Sequence, residues 1–552
     1  MRNQVVRAFA GQIAAGLQRK SVTTCSRWAC KYRVMGKPFP GPWTFRYHPW
    51  LREMHDCDSD MWIGQKSAQM GFTETVLNRV FFKMDVDRID SLYVLPAKNP
   101  DASDFSSGRF DQALDLSDHL KNLFSDVKNV GHKRAGATNL YIRGSRSKSG
   151  LKSIPVGLII LDELEEMDQD NIGLALERQS GQMEKQTIAI STPRIKGSGI
   201  NFYFEESTQE HFYFVCPCCG KFTELTFPEC LEVIGESPVD PRVEESFLKC
   251  RECGNRLEHK AKPQWLGNGR WVPSFANRVR RGFYINQLYG CTNAVSPPEI
   301  AKAYLRAQTN PADEQEFHNS KLGLTHTVKG AQVTDEEIHC CLGQYKNGQA
   351  APESAVLTMG IDQGKWIHYE INAWYPSGRY SSSDLNLCYT PKVIDCNKVL
   401  NFEDLDRLMA GYRVNFCVID GQPETRKALE FAYRFPGFVK LCYYGKGVAG
   451  KTIIESKDEP KITVDRTVWL DLSLGRFKYT NIQIPMNAGY EYKDHIKALT
   501  RTYERDKDGN VVGRYVKPES TPDHFAHARN YSEIALPFAL SMGQSQNTVS
   551  PR

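Results

Sequence analysis

No stretch of the 552 residues approaches 18 consecutive apolar side chains, so a membrane-spanning helix is not expected. The N-terminus is basic, but no apolar core and small-residue cleavage site follow, so no secretion signal is read there. Internal repeats of fixed period and long low-complexity blocks are also missing. Net charge is small, 70 Lys and Arg against 65 Asp and Glu. The whole-chain balance is therefore a weak argument for nucleic acid, and local clusters matter more: Lys128 to Arg134, Arg143 to Lys152 and Arg278 to Arg281. Solvated surface groups are the plain alternative for each. Sixteen cysteines in a chain this long do not demand disulfides, and four of them form two tight Cys-x-x-Cys pairs, which points to metal and a reducing compartment. The 24% charged and 41% hydrophobic content is ordinary for a soluble protein and argues against wholesale disorder. The expectation is a soluble, intracellular protein of two or three domains.

From about residue 60 to 200, short apolar runs alternate with helical stretches. Met61 to Gly64, Ser91 to Leu95, Leu158 to Leu161 and Thr187 to Ser191 read as strands, and Thr73 to Met84 as a helix. Such alternation favours a parallel sheet with crossover helices. Between about 211 and 270 the texture turns to cysteines, glycines and short β-like runs. A mixed segment follows, and Gly343 to Ala351 reads as a linker. Strands resume at Ala355 to Ile361, Tyr369 to Trp374 and Asn415 to Ile419, and the end of the chain is rich in Ser, Gln and Asn.

One loop lacks the residue its outline calls for. A standard phosphate loop places a lysine just before its helix, but Gly71-Phe72-Thr73 has phenylalanine there, and the one nearby lysine, Lys66, opens the loop Gln65-Lys66-Ser67-Ala68-Gln69-Met70-Gly71-Phe72-Thr73. The chemistry needs a positive charge near the β/γ oxygens, backbone N–H groups and a helix N-terminus, and a lysine entering from the loop's start supplies the first. Thr73 would then share Mg²⁺ with Asp162. An ordinary strand-loop-helix turn has the same outline. The run Leu158 to Leu161 ends in Asp162-Glu163, an acid for Mg²⁺ and one to polarise attacking water. Ala189-Ile190-Ser191-Thr192-Pro193 ends a third strand in hydroxyls placed to sense the γ-phosphate. Arg109 is a candidate arginine finger, with a salt-bridged surface arginine as the alternative, and Arg178 is a weaker candidate of the same kind.

Cys216-x-x-Cys219 and Cys250-x-x-Cys253, each followed by glycine (Gly220, Gly254), carry a zinc-ribbon signature. Cys218 is the spare, and free buried cysteines or a redox pair are the alternatives. Farther on, Asp362 and Asp420 each end an apolar run, and Asp523 opens a helix with His527 one turn later. Three such acids can hold two Mg²⁺ or Mn²⁺ ions for phosphodiester cleavage, the layout of an RNase H-like nuclease. Singly, each reads as a turn residue.

Together these motifs resemble the large terminase subunits of tailed phages, specifically the lambda-type branch. The resemblance rests on Lys66-Ser67-Ala68-x-x-Gly71-Phe72-Thr73, Asp162-Glu163 and Ser191-Thr192-Pro193, and covers about residues 28 to 540. Gly144 to Leu151 resembles the family's Gly-x-x-Ser-x-x-x-Leu stretch, and Tyr47 to Trp50 its adenine-contacting segment. Where some members carry a second lysine, this chain has Glu74. The third nuclease ligand stays open among Asp523, His524 and His527, because the family's later acid is His527 here; Asp471 is the reserve, placed by the resemblance on a strand.

The resemblance implies an α/β chain: an N-terminal partner or adenine-proximal region (1–55), a P-loop, RecA/ASCE-like ATPase core (56–210), a zinc-ribbon insert between motor and nuclease (211–270), a connecting region (271–345), an RNase H-like nuclease domain (346–540) and a flexible tail (541–552). It implies ATP-driven packaging of double-stranded DNA and cutting of concatemers, with ATP, Mg²⁺ or Mn²⁺, and Zn²⁺. The implied partners are a small terminase subunit and a portal or procapsid, with a homo-oligomeric ring on the portal, no membrane, and the host cytoplasm as location. The alternatives are an ATP-dependent helicase or remodeller without nuclease activity, and a zinc-stabilised DNA-binding assembly protein with a degenerate ATPase site.

Overall fold

The computed structural model describes residues 23–124, 127–152, 154–348, 355–378, 385–445, 450, 452–506, 508–519 and 521–546. Most of the N-terminal basic stretch, the end of the 343–351 linker and the last residues of the tail therefore lie outside the described residues. The chain divides into two compact units, Met1–His326 and Thr327–Arg552.

The first unit is built on an 11-stranded sheet. Its core strands are β1 (Met61–Lys66), β2 (Ser91–Leu95), β3 (Thr138–Gly144), β4 (Leu158–Asp162), β5 (Gln186–Ser191), β6 (Glu210–Val215) and β7 (Arg281–Ile285). They run parallel in the order β6-β7-β1-β5-β4-β2-β3. β2, β4 and β5 are buried at every position, which is why they read as unbroken apolar runs rather than as alternating ones. The strand ending in Ser191 lies between the loop strand β1 and the acid strand β4, so the three motifs end side by side on one sheet edge. Helix α1 (Phe72–Phe82) leaves the loop from there.

The position of β7 corrects the expected domain plan. Residues 271–345 are not a simple connection, because β7 pairs along its length with β1 and the first unit continues to His326. The four-cysteine region is accordingly an insert within this sheet, not a module after it. The first Cys pair follows β6, the second lies between the short strands Phe247–Lys249 and Arg256–Leu257, and Arg270–Pro273 returns to pair with β6. The Arg278 to Arg281 cluster serves this packing: Arg278 donates to the Glu205 and Ser207 carbonyls, and Arg281 pairs with Glu53 and Glu210.

The second unit holds a seven-stranded sheet. Its strands include β8 (Val356–Asp362), β9 (Ile367–Pro376), β10 (Tyr389–Val399), β11 (Phe416–Asp420), β12 (Val439–Tyr444) and β13 (Lys461–Val464). The order is β10-β9-β8-β11-β12-β13, antiparallel among the first three and parallel from β8 onward. Helix α2 (Arg466–Lys478) carries Asp471, so that residue sits on a helix and not on the expected strand. Helix α3 (His524–Gln546) crosses β8 at Gly360, where a Cβ would fall 2.0 Å from the Ala528 carbonyl oxygen. Glycine is required by that close approach, and the approach sets α3's first turn at the tip of β8.

Beneath α3 lies a fully buried ionic network. Arg476 and Arg529 both reach Glu533, Arg529 also donates to Glu370 at 3.0 Å, and both guanidiniums lie over the Trp374 ring. Removing one partner of such a network strands an opposite charge without water. Glu533→Gln is expected to cost about 3–5 kcal/mol, read as a lower denaturant midpoint for the second unit. An unchanged midpoint would mean that the network contributes nothing to stability.

Candidate functional site

Lys66 ends β1 and is buried, and its Nζ lies 3.2 Å from Glu163 Oε1. Glu163 follows β4 in left-handed backbone (φ 59), an uncommon conformation for a side chain that large. Its other oxygen accepts from Ser191 Oγ at 3.4 Å, and Ser191 Oγ in turn accepts from Glu165 N at 3.2 Å. The lysine of the first motif, the second acid of the second and the serine of the third thus form one contact chain. Thr192, beside Ser191, contributes its carbonyl to the Ser191 hydroxyl at 3.4 Å.

Asp162 is buried and accepts from the Tyr93 hydroxyl at 2.6 Å through Oδ2, while Oδ1 has no hydrogen-bond partner. Burial, reinforced by the neighbouring Glu163 charge, pushes its carboxyl up to about 6 against the pull of Lys66 and Tyr93. A buried, half-satisfied carboxylate of this kind is stabilised by a cation, so the donor set fits a divalent ion. Ser67 Oγ, in the loop, is likewise buried without a partner.

Phe72, standing where the usual lysine would be, is a core residue packed over Gly64, whose Cβ would fall 2.6 Å from the ring. Gly71 (φ 84) meets Leu51 in the same way, and Trp50 Nε1 donates to the Met70 carbonyl at 3.0 Å. The Tyr47 to Trp50 segment is therefore held against the loop, with Tyr47 stacked on Phe39. Thr73 is half-buried in the first turn of α1, and Gln69 has φ 61. Glu74 pairs with the buried Arg33 at 2.7 Å, which gives this acid a partner at the place of the family's second lysine.

Arg109 lies 3.7 Å from Glu74, is more than half exposed, and its charge reaches Asp162. Arg178 lies at the other end of the strands, where its carbonyl accepts from Val156 N before β4 begins. The Gly144 to Leu151 stretch is tied down by Ser145, whose Oγ donates to the Pro96 carbonyl.

Sequence reasoning missed the loop's backing. Ser67 N and Ala68 N donate to the carbonyls of Ile285 and Ser320, and Gln287 Nε2 donates to the Ala68 carbonyl. Gln65, expected among the cofactor contacts, is bonded to Gly323 O and Asn201. Gly323 (φ 67) approaches so closely that a Cβ would fall 2.6 Å from Ser67 N. No local pattern marks residues 285–323 as loop neighbours, because the contact is made by sheet order.

In the four-cysteine insert, ligand atoms of Cys216, Cys219, Cys250 and Cys253 all lie within 4.8 Å of one another. The two knuckles match. Gly220 and Gly254 both have φ 71 and donate to the carbonyls of Cys216 and Cys250, while Cys218 N and Glu252 N donate to the Cys216 and Cys250 sulfurs at 3.4 Å. Backbone N–H groups aimed at sulfur favour thiolate, the form that binds metal. Cys218 is exposed and is not part of the cluster.

In the second unit, Ile361 and Ile419 are register partners, so Asp362 and Asp420 end adjacent parallel strands. Burial, and next the Asp362 charge, push Asp420 up to about 6. Two crowded carboxylates again fit divalent cations. His524 Nδ1 lies 2.7 Å from Asp362 Oδ2, a bond that raises the imidazole's pKa. His527 bonds the Tyr444 hydroxyl at 2.9 Å and bears electrostatically on Asp420. Asp523 lies 2.7 Å from Lys517 Nζ and 3.3 Å from His527 Nε2; burial opposes its ionisation, but these partners hold it well below the usual carboxylate range. Asp471 is clasped by Arg501 at 2.7 and 2.9 Å and by Tyr515, a structural pairing.

Two family models match the chain. One, described as phage terminase large subunit gpA, ATPase domain, covers residues 37–271; the other, terminase large subunit gpA, endonuclease domain, covers 280–483. Strand β7 falls in the second span although it pairs within the first unit's sheet. No curated protein matches the sequence. Among solved structures the chain is similar to the HK97 bacteriophage large terminase, with 10% identity, a TM-score of 0.52, and 92% of this chain and 98% of that one covered. At that identity the likeness concerns fold alone. The large terminase of a thermophilic bacteriophage gives 10% identity and a TM-score of 0.30 over 89% of this chain and 98% of that one, and adds no argument. Among the described residues, no helix is long and apolar enough to cross a membrane.

Proposed function

Because this chain belongs to the phage terminase large subunit family and carries its ATPase and endonuclease domains, we propose that it drives double-stranded DNA into a capsid by ATP hydrolysis and cuts concatemeric DNA at the start and end of packaging. The observation that carries this reading is the Lys66-Glu163-Ser191 contact chain at one sheet edge, with a separate carboxylate pair, Asp362 and Asp420, in the second unit. A helicase without nuclease activity would have no use for the second pair. A degenerate ATPase is disfavoured because Lys66 reaches the acids despite its displaced place in the loop.

Lys66 would exchange Glu163 for the γ-phosphate, which frees Glu163 to orient and polarise water. Asp162 and Thr73 would hold Mg²⁺, which neutralises charge developing on the phosphoryl oxygens. Arg109 is the finger this chain can supply itself, and Tyr47 lines the adenine side. Ser191 and Thr192 would relay the state of Glu163 into β5. In the second unit Asp362 and Asp420 would hold Mg²⁺ or Mn²⁺, the ions that activate water and stabilise the leaving oxygen. The third ligand would come from the start of α3, where His524 and His527 face the acids more directly than Asp523 does. A small terminase subunit, a portal-bound ring and the host cytoplasm complete the setting. Contacts to backbone phosphates suffice for both reactions, so DNA affinity should fall with salt. The test is ATP turnover with and without duplex DNA: stimulation supports a motor, and turnover indifferent to DNA overturns it.

The cysteines are assigned to one structural Zn²⁺. Since β6 runs into the first knuckle and its neighbour β7 pairs with the loop strand, loss of the ion should be felt by the ATPase sheet. Cys250→Ser is expected to abolish zinc binding, measured by elemental analysis, and to lower the first unit's melting temperature by about 10 °C. A protein free of zinc that melts unchanged would refute the assignment.

A further inference from the structure

Of the nine tryptophans, eight are no more than 9% exposed, and the ninth, Trp366, is 38% exposed. It stands on the hairpin Gln363 to Trp366 that joins β8 to β9, four residues after Asp362. Across the hairpin, His368 is the register partner of Asp362 and stacks on His524 at 4.6 Å. Gly364 on the same turn is close enough to His524 that a Cβ would fall 3.3 Å from its Cε1. The hairpin thus borders the carboxylate pair directly, and its tip carries an indole that the core does not use.

Two lysines lie close to the indole. Lys365 is exposed beside the indole, and Lys398 Nζ lies 5.4 Å from the ring centroid. Lys398 is fixed there by Glu491 at 2.6 and 2.8 Å, and Tyr490, which precedes Glu491, is 87% exposed. A partly exposed indole with one lysine over its ring and another beside it in the chain, at the rim of a phosphodiester-cutting centre, matches what an unstacked base and its phosphate require. Bases within a duplex cover one another, so a free face exists only at an end, a nick or an unpaired position.

The geometry points to Trp366 as a stacking platform for the DNA base beside the scissile phosphate, with the exposed Lys365 holding the adjoining backbone. This rests on the nuclease reading of Asp362 and Asp420. It adds a positioning residue that binds the cut or unstacked end and takes no part in activating water.

The experiment uses the full-length protein in Ca²⁺, which supports metal-dependent binding while slowing cutting. Two labelled duplexes of equal length and identical ends are compared by fluorescence anisotropy, one with a single unpaired nucleotide at its centre and one fully paired throughout. The wild type should prefer the first. Trp366→Ala should lose that preference, with about tenfold weaker binding to the unpaired substrate, and Trp366→Phe should keep most of it. Iodide should quench the exposed indole of the free protein, and DNA should protect it. No preference in the wild type, equal losses for Ala and Phe, or unprotected quenching would each overturn the proposal. Plasmid cleavage by the wild type in Mn²⁺ is run beside it: cutting without Trp366-dependent binding rejects the platform alone, whereas Trp366-dependent binding without cutting rejects the nuclease reading.

Discussion

Asp420→Ala is expected to lower Mn²⁺-dependent plasmid cleavage by roughly 10²–10³-fold or more, the scale on which one stabilising group acts on a charged transition state, while ATP turnover stays within about twofold. Asp420 and Asp362 end neighbouring strands, and burial together with their mutual repulsion makes Asp420 hard to ionise. That arrangement opposes stability in the metal-free protein and gains its value only when cations sit between the carboxylates. Removing one acid should therefore leave the melting temperature of the metal-free protein no lower than that of the wild type. The combination of lost cutting and undiminished stability separates a functional acid from a turn residue, whose loss would lower stability and leave catalysis alone. Asp362→Ala should lose cutting to the same extent, but it also deprives His524 of its partner, so its thermal effect is less clean.

Glu163→Gln is expected to reduce ATP hydrolysis by about 10²–10⁴-fold, the range of a positioned general base, with nucleotide affinity held within about threefold. Glutamine keeps the size of the side chain and can still accept from Ser191, but it neither polarises water nor pairs ionically with Lys66, now 3.2 Å away. Releasing Lys66 toward the phosphates should preserve or slightly improve ATP binding, which equilibrium binding of a slowly hydrolysed analogue measures. Loss of binding together with turnover would instead place Glu163 in the architecture of the loop.

The strands bearing these residues were legible because buried parallel strands are continuous apolar runs. The apolar runs Met61 to Gly64, Leu158 to Leu161 and Thr187 to Ser191 each match their strands to within two residues, and Asn415 to Ile419 to within one. The matching zinc knuckles were legible for a similar reason, since two ligands and a turn glycine fit in five residues. What escaped was set by sheet order. Arg281–Ile285 looks like any short strand, and only its pairing with β1 shows that the ATPase unit continues past the cysteine insert. Tyr93 sits mid-strand with nothing local to mark its bond to Asp162, and Gly323 lies some 250 residues from the loop it backs. Asp471 is placed on a strand by the resemblance alone, whereas here it faces Arg501 from a helix. The choice among Asp523, His524 and His527 could not be made from spacing, since all three fall at the start of α3 and only the crossing at Gly360 turns His524 onto Asp362.

The central claim is that one chain carries two chemically separate engines. Its most direct test measures ATP hydrolysis and Mn²⁺-dependent plasmid cutting side by side for the wild type, Glu163→Gln and Asp420→Ala. The predicted result is a double dissociation: Glu163→Gln cuts but does not hydrolyse ATP, and Asp420→Ala hydrolyses ATP but does not cut. A folded wild type that cuts in neither Mg²⁺ nor Mn²⁺, or a single substitution that silences both reactions in folded protein, would contradict it.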